Sequence, residues 1–468
     1  MNPMTDMTGA EIAAAVKAGK LTARSVTEAA LARTESLNPV LNGFTAITSE
    51  RALAKADAVD ADIAAGRDPG PLAGVPFAVK NLFDVKGLPT LAGSKINRDL
   101  PPAGEDAALV KRMEAAGAVL TGALNMGEYA YDFTGQNAHD GASRNAHDPD
   151  HMSGGSSGGS GTATAAGMAS ITLGSDTNGS IRVPSSFCGL FGLKPTYGRL
   201  TRAGTFPFVS SLDHLGPIAR STADLALAYD AMQGPDPDDP GCAGRPVEPT
   251  MAELAEGIDG MRIAKAGGYF ARGALPEAFE AVDRISKAVG ADETLDIPNA
   301  QAARGAAYLI TMAEGASLHL DRLKTRHADY DPDVRDRLIA GAMIPGAWVT
   351  KAQKLRRAYH DAVLKLFETV DVILAPATPC RAPRIGQKSM VLDGVEMAVR
   401  PNIGLFTQPI SFIGLPVVSV PVWTEGEALP IGVQLIAAPW REDIVLRLAH
   451  HLETAGVVSA PVANVQGN

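Results

Sequence analysis

The sequence predicts an α/β protein, on three observations. Short apolar runs bounded by glycine or charge alternate with stretches of helical periodicity, as where residues 106–116 lead through Gly117 into Ala118-Val119-Leu120. The chain has 468 residues, beyond the roughly 250 to 300 at which one core usually stops growing, so it forms either two domains or one large layered α/β domain. At 46% hydrophobic and 20% charged residues, its composition is globular rather than disordered or fibrous.

The elements follow in order. Over the first 70 residues Ile12, Val16, Leu21, Val26, Ala30 and Leu31 recur at helical spacing, and Ala52, Ala56, Val59 and Ile63 do so again, until Pro69-Gly70-Pro71 ends the region. Residues 75–79 form an apolar run that reads as a buried strand ending in a charge, Lys80. A buried strand tip is an unusual place for a lysine. From 135 to 161 the apolar periodicity vanishes in favour of Gly, Ser, Asn, Asp and His, a long loop of the kind compact domains keep for function. An Ala-rich helical segment at 162–169 and a second turn at 176–180 come next, and the chain loosens into a surface excursion beyond Asp236-Pro237-Asp238-Asp239-Pro240. Residues 261–264 read as a strand. Val349, Ala352, Leu355, Tyr359, Ala362 and Leu366 make an apolar helical stripe before a strand at 370–374. There is no internal repeat and no linker that cleanly divides the chain.

Composition narrows the function. The formal net charge is −10 without a long Lys/Arg run, which argues against nucleic acid or an anionic membrane surface as the main partner and leaves a small-molecule substrate. Cys188, Cys242 and Cys380 make an odd set without C-x-x-C spacing, suited to a reducing compartment. Asp6 and Glu11 stand where a signal peptide needs an apolar core, and the apolar stretch 412–423 is broken by Gly414, Pro416 and Pro421 and too short to span a bilayer. The expectation is a cytoplasmic protein. His139, His147 and His151, with Asp140, Asp148 and Asp150, match no tight ligand spacing, so a metal is not expected.

The run Gly154-Gly155-Ser156-Ser157-Gly158-Gly159-Ser160 admits four readings. A flexible linker would separate domains, whereas a helical segment follows at once. A phosphate-binding loop would need a Gly-Lys-Ser/Thr that is absent. Gly154-Gly155-Ser156-Ser157-Gly158 satisfies the G-x-S-x-G pattern of a nucleophile elbow, yet the polar residues 147–152 stand where that motif needs a strand. The fourth reading joins Ser156, Ser180 and Lys80 into a serine hydrolase site without histidine. A serine hydroxyl is a poor nucleophile until a base takes its proton, and lysine is such a base only when neutral. Moving a lysine from ~10.4 to near 7 takes roughly 4 to 5 kcal/mol of environmental bias, which a buried strand end supplies. Ser156 is placed to relay the proton. Successive N–H groups of the turn Thr177-Asn178-Gly179-Ser180 are expected to converge on an oxyanion.

These residues carry a resemblance to the amidase signature family. Gly154 to Ser160, Asp176-Thr177-Asn178-Gly179-Ser180-Ile181-Arg182-Val183-Pro184 and Gly192-Leu193-Lys194-Pro195-Thr196 stand in family order, and the likeness continues through Gly216-Pro217 to Pro430-Ile431-Gly432-Val433-Gln434. The resemblance implies a Ser-Ser-Lys triad of Lys80, Ser156 and Ser180, with a cis peptide between Gly155 and Ser156. It implies an oxyanion hole at Thr177, Asn178, Gly179 and Ser180, structural support from Gly155, Asp176 and Arg182, and no cofactor. The implied fold is one large mixed twisted sheet covered on both faces by helices, a single domain over 1–468. Within it lie N-terminal helices to about 68, a signature core over about 71–225 and a C-terminal part over about 260–460. Tyr131 and Gln136 are candidate pocket residues, though core packing explains the tyrosine equally well. Arg356 aligns with a position that recognises a substrate carboxylate in related amidotransferases; a solvated helix charge is the alternative. Asn178 stands where most relatives carry glycine, and asparagine tolerates positive φ. Gly127 departs from a usual acidic residue.

By resemblance the reaction is C–N bond hydrolysis of a small carboxylated ureido or amide compound with release of ammonia. A glutamine-hydrolysing subunit of a tRNA-dependent amidotransferase, or an amidase of another small amide, is the alternative. The partners implied are a short helical accessory subunit and, for the assembly, a homodimer or a dimer of heterodimers.

Overall fold

In the computed structural model, which describes residues 3–465, the chain forms thirteen strands. They are β1 (Phe44–Ile47), β2 (Pro76–Lys80), β3 (Val119–Leu124), β4 (Ile171–Asp176), β5 (Phe191–Lys194), β6 (His214–Ala219), β7 (Ile263–Ala266), β8 (Glu293–Leu295), β9 (Val372–Pro376), β10 (Ser389–Leu392), β11 (Val395–Ala398), β12 (Val417–Val422) and β13 (Ile431–Ala437). Strands β10 and β11 pair as a separate hairpin. The other eleven make one mixed sheet in the order β1-β3-β2-β4-β6-β5-β12-β13-β9-β7-β8. Strand β2 runs parallel to both β3 and β4, while β4, β6, β5, β12 and β13 are antiparallel to their neighbours along that stretch of the sheet. The central strands are buried along their full length, as their Val, Ile and Leu content requires.

Proline punctuates this sheet where its missing N–H costs nothing. Pro76 opens β2, and Pro421 lies in β12 beyond the reach of β5, whose pairing stops at Ser419. The N-terminal helices are tied down by caps: Thr8 and Glu11 form a capping box on the Gly9–Lys17 helix, and the buried Asp224 carboxylate accepts from the N–H groups of Gly9 and Ala10, both at 2.8 Å. In the Gly346–Leu364 helix the apolar stripe is buried at Ala352 and Tyr359. Among the described residues no helix is long and apolar enough to cross a membrane.

Three elements differ from the sequence reading. The helix expected at 162–169 begins four residues earlier and spans Gly158–Ala165. Its glycines are needed for close packing rather than flexibility, since a Cβ on Gly159 would stand 2.4 Å from the Gly43 carbonyl oxygen and 2.6 Å from Asn125 N. Tertiary burial overrides propensity there. The strands expected at 261–264 and 370–374 begin two residues later, at Ile263 and Val372, where they pair with each other.

Candidate active site

Adjacent parallel strands β2 and β4 end side by side, which brings Lys80 to the hydroxyls of two different segments. Its Nζ donates to Ser156 Oγ at 2.6 Å and to Ser175 Oγ at 2.8 Å. The side chain is fully buried. Burial pushes the Lys80 pKa down to about 7, against the opposing pull of the Asp213, Asp176 and Asp132 carboxylates.

Ser156 comes from the Gly/Ser run, whose glycines are required by their surroundings. Gly154 has φ +79°, and a Cβ on Gly155 would lie 2.6 Å from Asp132 Oδ2. The Gly155 N–H donates to Phe133 O at 2.8 Å, the Ser156 carbonyl accepts from Gly127 N at 3.1 Å, and the Gly155–Ser156 peptide is cis. Gly127 belongs to the same packing: a Cβ there would sit 2.4 Å from Asp132 Cβ.

The turn after β4 carries Ser180. Arg182 holds it by a bidentate pair to Asp176, Nε to Oδ2 and Nη2 to Oδ1, both 2.9 Å, with further bonds from Nη1 to Thr407 O at 3.1 Å and Gln434 Oε1 at 2.6 Å and from Nη2 to Ser411 Oγ. Burial disfavours the Asp176 charge, but the Arg182 guanidinium outweighs it and holds the carboxyl well below the usual carboxylate range. Thr177 Oγ1 donates to Asp213 at 2.6 Å, and Thr407 Oγ1 donates to the Asn178 carbonyl at 2.7 Å. Gly179 has φ +144° with Thr407 Oγ1 only 2.2 Å from where a Cβ would be. The N–H groups of Thr177, Asn178, Gly179 and Ser180 donate to no acceptor among the described residues. Asn178 does not use the positive φ its replacement of glycine suggested; its side chain instead spans to Thr311, with Nδ2 donating to Oγ1 at 2.9 Å.

Ser180 opens on a narrow cavity that it shares with Tyr131, Asn178, Thr311, Arg337 and Gln408. The Tyr131 hydroxyl and Asn178 Oδ1 are buried there without a hydrogen-bond partner among the described residues, and burial raises the Tyr131 pKa to about 12, so it is a neutral O–H donor. Two expected pocket residues lie elsewhere. Arg356 donates from Nε to Phe412 O at 2.6 Å and from Nη2 to Ser211 O at 2.8 Å, and borders a separate groove with Tyr197 and Trp440. Gln136 is half-buried in its loop and does not line the Ser180 cavity. No hydrogen bond joins the Ser156 and Ser180 hydroxyls among the described residues. Ser175 and Arg337 escaped the sequence reading. The pairing of Val79 with Leu173 is what places Ser175 beside Lys80; Arg337, on the Pro332–Ala342 helix, had no local signal.

His139 Nε2 lies 3.0 Å from Glu128 Oε1 and His147 Nε2 lies 3.2 Å from the Cys188 carbonyl oxygen. Among the described residues no group of three or more His, Cys, Asp or Glu side chains is arranged to hold a metal.

A sequence model of the amidase family matches residues 25–446. The chain belongs to the amidase signature family. This family member is 53% identical to AtzE, the 1-carboxybiuret hydrolase protein of Pseudomonas sp. (strain ADP), over 448 residues, covering 96% of this chain and 98% of that protein. It is 37% identical to a glutamyl-tRNA(Gln) amidotransferase subunit of Geobacter metallireducens over 479 residues, 96% of this chain and 97% of the relative. Among solved structures it is similar, with TM-score 0.96 and 52% identity over 97% of this chain and 100% of the other, to one described with an unexpected vestigial protein complex and the origins of an s-triazine catabolic enzyme. A crystal structure of an amidase matches with TM-score 0.86 at 31% identity over 96% of this chain and 100% of the other. The protein is an amidohydrolase acting on C–N bonds, and its mixed eleven-stranded sheet is the fold expected of the family.

Proposed function

We propose that this amidase hydrolyses a C–N bond of a small carboxylated ureido compound of the 1-carboxybiuret type, releasing ammonia through Lys80, Ser156 and Ser180. The observation that carries the mechanism is the 2.6 Å contact between Lys80 Nζ and Ser156 Oγ in a fully buried site. Neutral Lys80 takes the Ser156 proton while Ser156 takes that of Ser180, and Ser180 Oγ attacks the carbonyl. The N–H groups of Thr177, Asn178, Gly179 and Ser180 receive the oxyanion. The proton returns through Ser156 to the departing nitrogen, the C–N bond breaks, and water hydrolyses the acyl-enzyme by the same relay. The substrate class is supported by the 53% identity to a 1-carboxybiuret hydrolase protein and by the polar groups of Tyr131, Asn178 and Arg337 that line the cavity at Ser180.

Ammonia release by wild type and Ser180→Ala over carboxybiuret made in situ, allophanate, malonamate, biuret and glutamine tests this reading. Release confined to the ureido acids and abolished by the substitution supports it. Glutamine turnover instead assigns the chain to the amidotransferase class of its 37% identical relative. The same reading includes a cytoplasmic location, a short helical accessory subunit and, for the assembly, a homodimer or a dimer of such pairs; of these, the accessory subunit is supported by the protein complex described for the structural neighbour. Light scattering of the purified protein measures that mass.

A further inference from the structure

The Ser180 cavity contains a charge that the hydrolytic chemistry leaves unused. Among the described residues lining it, Arg337 is the one cation. Its guanidinium lies over the Tyr131 ring, 3.8 Å from the centroid, with Nε donating to Asp333 O at 2.7 Å and Nη2 to Tyr131 O. Nη1 donates to no acceptor among the described residues, and no carboxylate among them forms an ion pair with the group. Burial lowers the Arg337 pKa from its ordinary value, with the nearby Arg400 charge adding to that and Tyr131 and Asp132 opposing it.

The other arginines of the region are spoken for. Arg400 pairs with Asp132 Oδ1 at 2.7 Å and Asp333 Oδ2 at 3.0 Å. Arg304 donates to Gln408 Oε1 at 2.9 Å and Asn402 Oδ1 at 2.8 Å. Arg356 is held by backbone carbonyls outside the cavity. The unpartnered Tyr131 hydroxyl is a second donor in the same cavity, whereas unpartnered Asn178 Oδ1 is an acceptor. A substrate fitting this inventory carries an anionic group at one end and N–H donors at the other.

We propose that Arg337 is the specificity-determining residue of the site: its free Nη1, with the Tyr131 hydroxyl, takes the substrate carboxylate, and Asn178 Oδ1 takes a ureido or amide N–H. This rests on the reading that the Ser180 cavity is the hydrolytic site. A neutral amide of the same size leaves a buried guanidinium unpaired, which is how a small site rejects it.

Calorimetric binding to the Ser180→Ala protein separates recognition from turnover. Malonamate and malonamide differ only in the carboxylate, so the ratio of their Kd values reads the contribution of Arg337. Adding Arg337→Met is expected to reduce the preference for malonamate at least about 30-fold, and Arg337→Lys to recover part of it. A preference that stays within about threefold of the parent, or malonamate binding too weak to saturate at millimolar concentration in the parent, overturns the assignment. If Arg337→Met does not fold, as its thermal midpoint would show, Arg337→Gln and Arg337→Lys carry the comparison. Wild-type ammonia release is scored separately. Malonamate binding that depends on Arg337, in an enzyme that releases ammonia from none of the substrates, contradicts the hydrolytic reading and leaves the recognition measured.

Discussion

Among single residues, catalysis turns on one amine. Lys80 acts as a base only when neutral, so with its pKa pushed down to about 7 by burial kcat/KM is expected to rise with pH through about 7, level off above it and fall about tenfold per unit below. Ser175 Oγ accepts from the ammonium at 2.8 Å and favours the charged form. Ser175→Ala therefore moves the midpoint of the acid limb to lower pH, and an unchanged or raised midpoint in the pH–rate profile contradicts that role. Gly179→Ala is expected to cut kcat at least about 100-fold by displacing the turn's N–H groups, because its φ of +144° and the Thr407 hydroxyl 2.2 Å from the new Cβ force the turn to move; steady-state kinetics on the purified variant read it. Lys80, Ser156 and Ser180 were legible because a lysine at an apolar strand end and two Gly/Ser turns are each odd locally. Ser175 and Arg337 are ordinary in sequence and acquire meaning only from the pairing of β2 with β4 and from the seating of the Pro332–Ala342 helix.

At the element scale, Arg182 locks the Arg182–Cys188 helix onto the strand-end turn and the C-terminal segment. Its five N–H groups are used by Asp176, Thr407, Ser411 and Gln434. Arg182→Met leaves the buried Asp176 carboxylate without its partner, and a loss of about 3 to 5 kcal/mol in urea unfolding is expected. Asp176→Asn added to it should recover part of that loss; a double variant as unstable as the sum of the two singles contradicts the pairing. Helical periodicity found the Gly346–Leu364 helix, but it missed the start of Gly158–Ala165. Glycine and serine carry no apolar stripe, and that helix is specified by backbones packed against it.

For the whole molecule, the alternation of helix and strand announced an α/β fold, while the strand order was beyond local reading. Strands β12 and β13, late in the chain, sit in the middle of the sheet between β5 and β9, a placement decided by long-range packing. The same packing buries two lysines. Lys194, which donates to Pro195 O at 3.0 Å and to Leu415 O, has its pKa lowered to about 7 by burial and then by Arg182. A folded pKa below the unfolded value of ~10.4 means the unfolded chain binds more protons in between, so this group's contribution to stability is complete above ~10.4 and is lost as pH falls toward 7. Lys194→Met should therefore flatten the rise of the urea midpoint between about pH 7 and 10 relative to wild type, and an unaltered slope contradicts it. The central claim, that Ser180 rather than Ser156 forms the acyl-enzyme, is tested most directly by acid-quenching the enzyme during turnover of a carboxylated ureido substrate and mapping the adduct by peptide mass spectrometry. An acyl group on Ser180 that Ser180→Ala abolishes together with ammonia release is expected; an adduct on Ser156, or turnover that survives Ser180→Ala, would contradict the assignment.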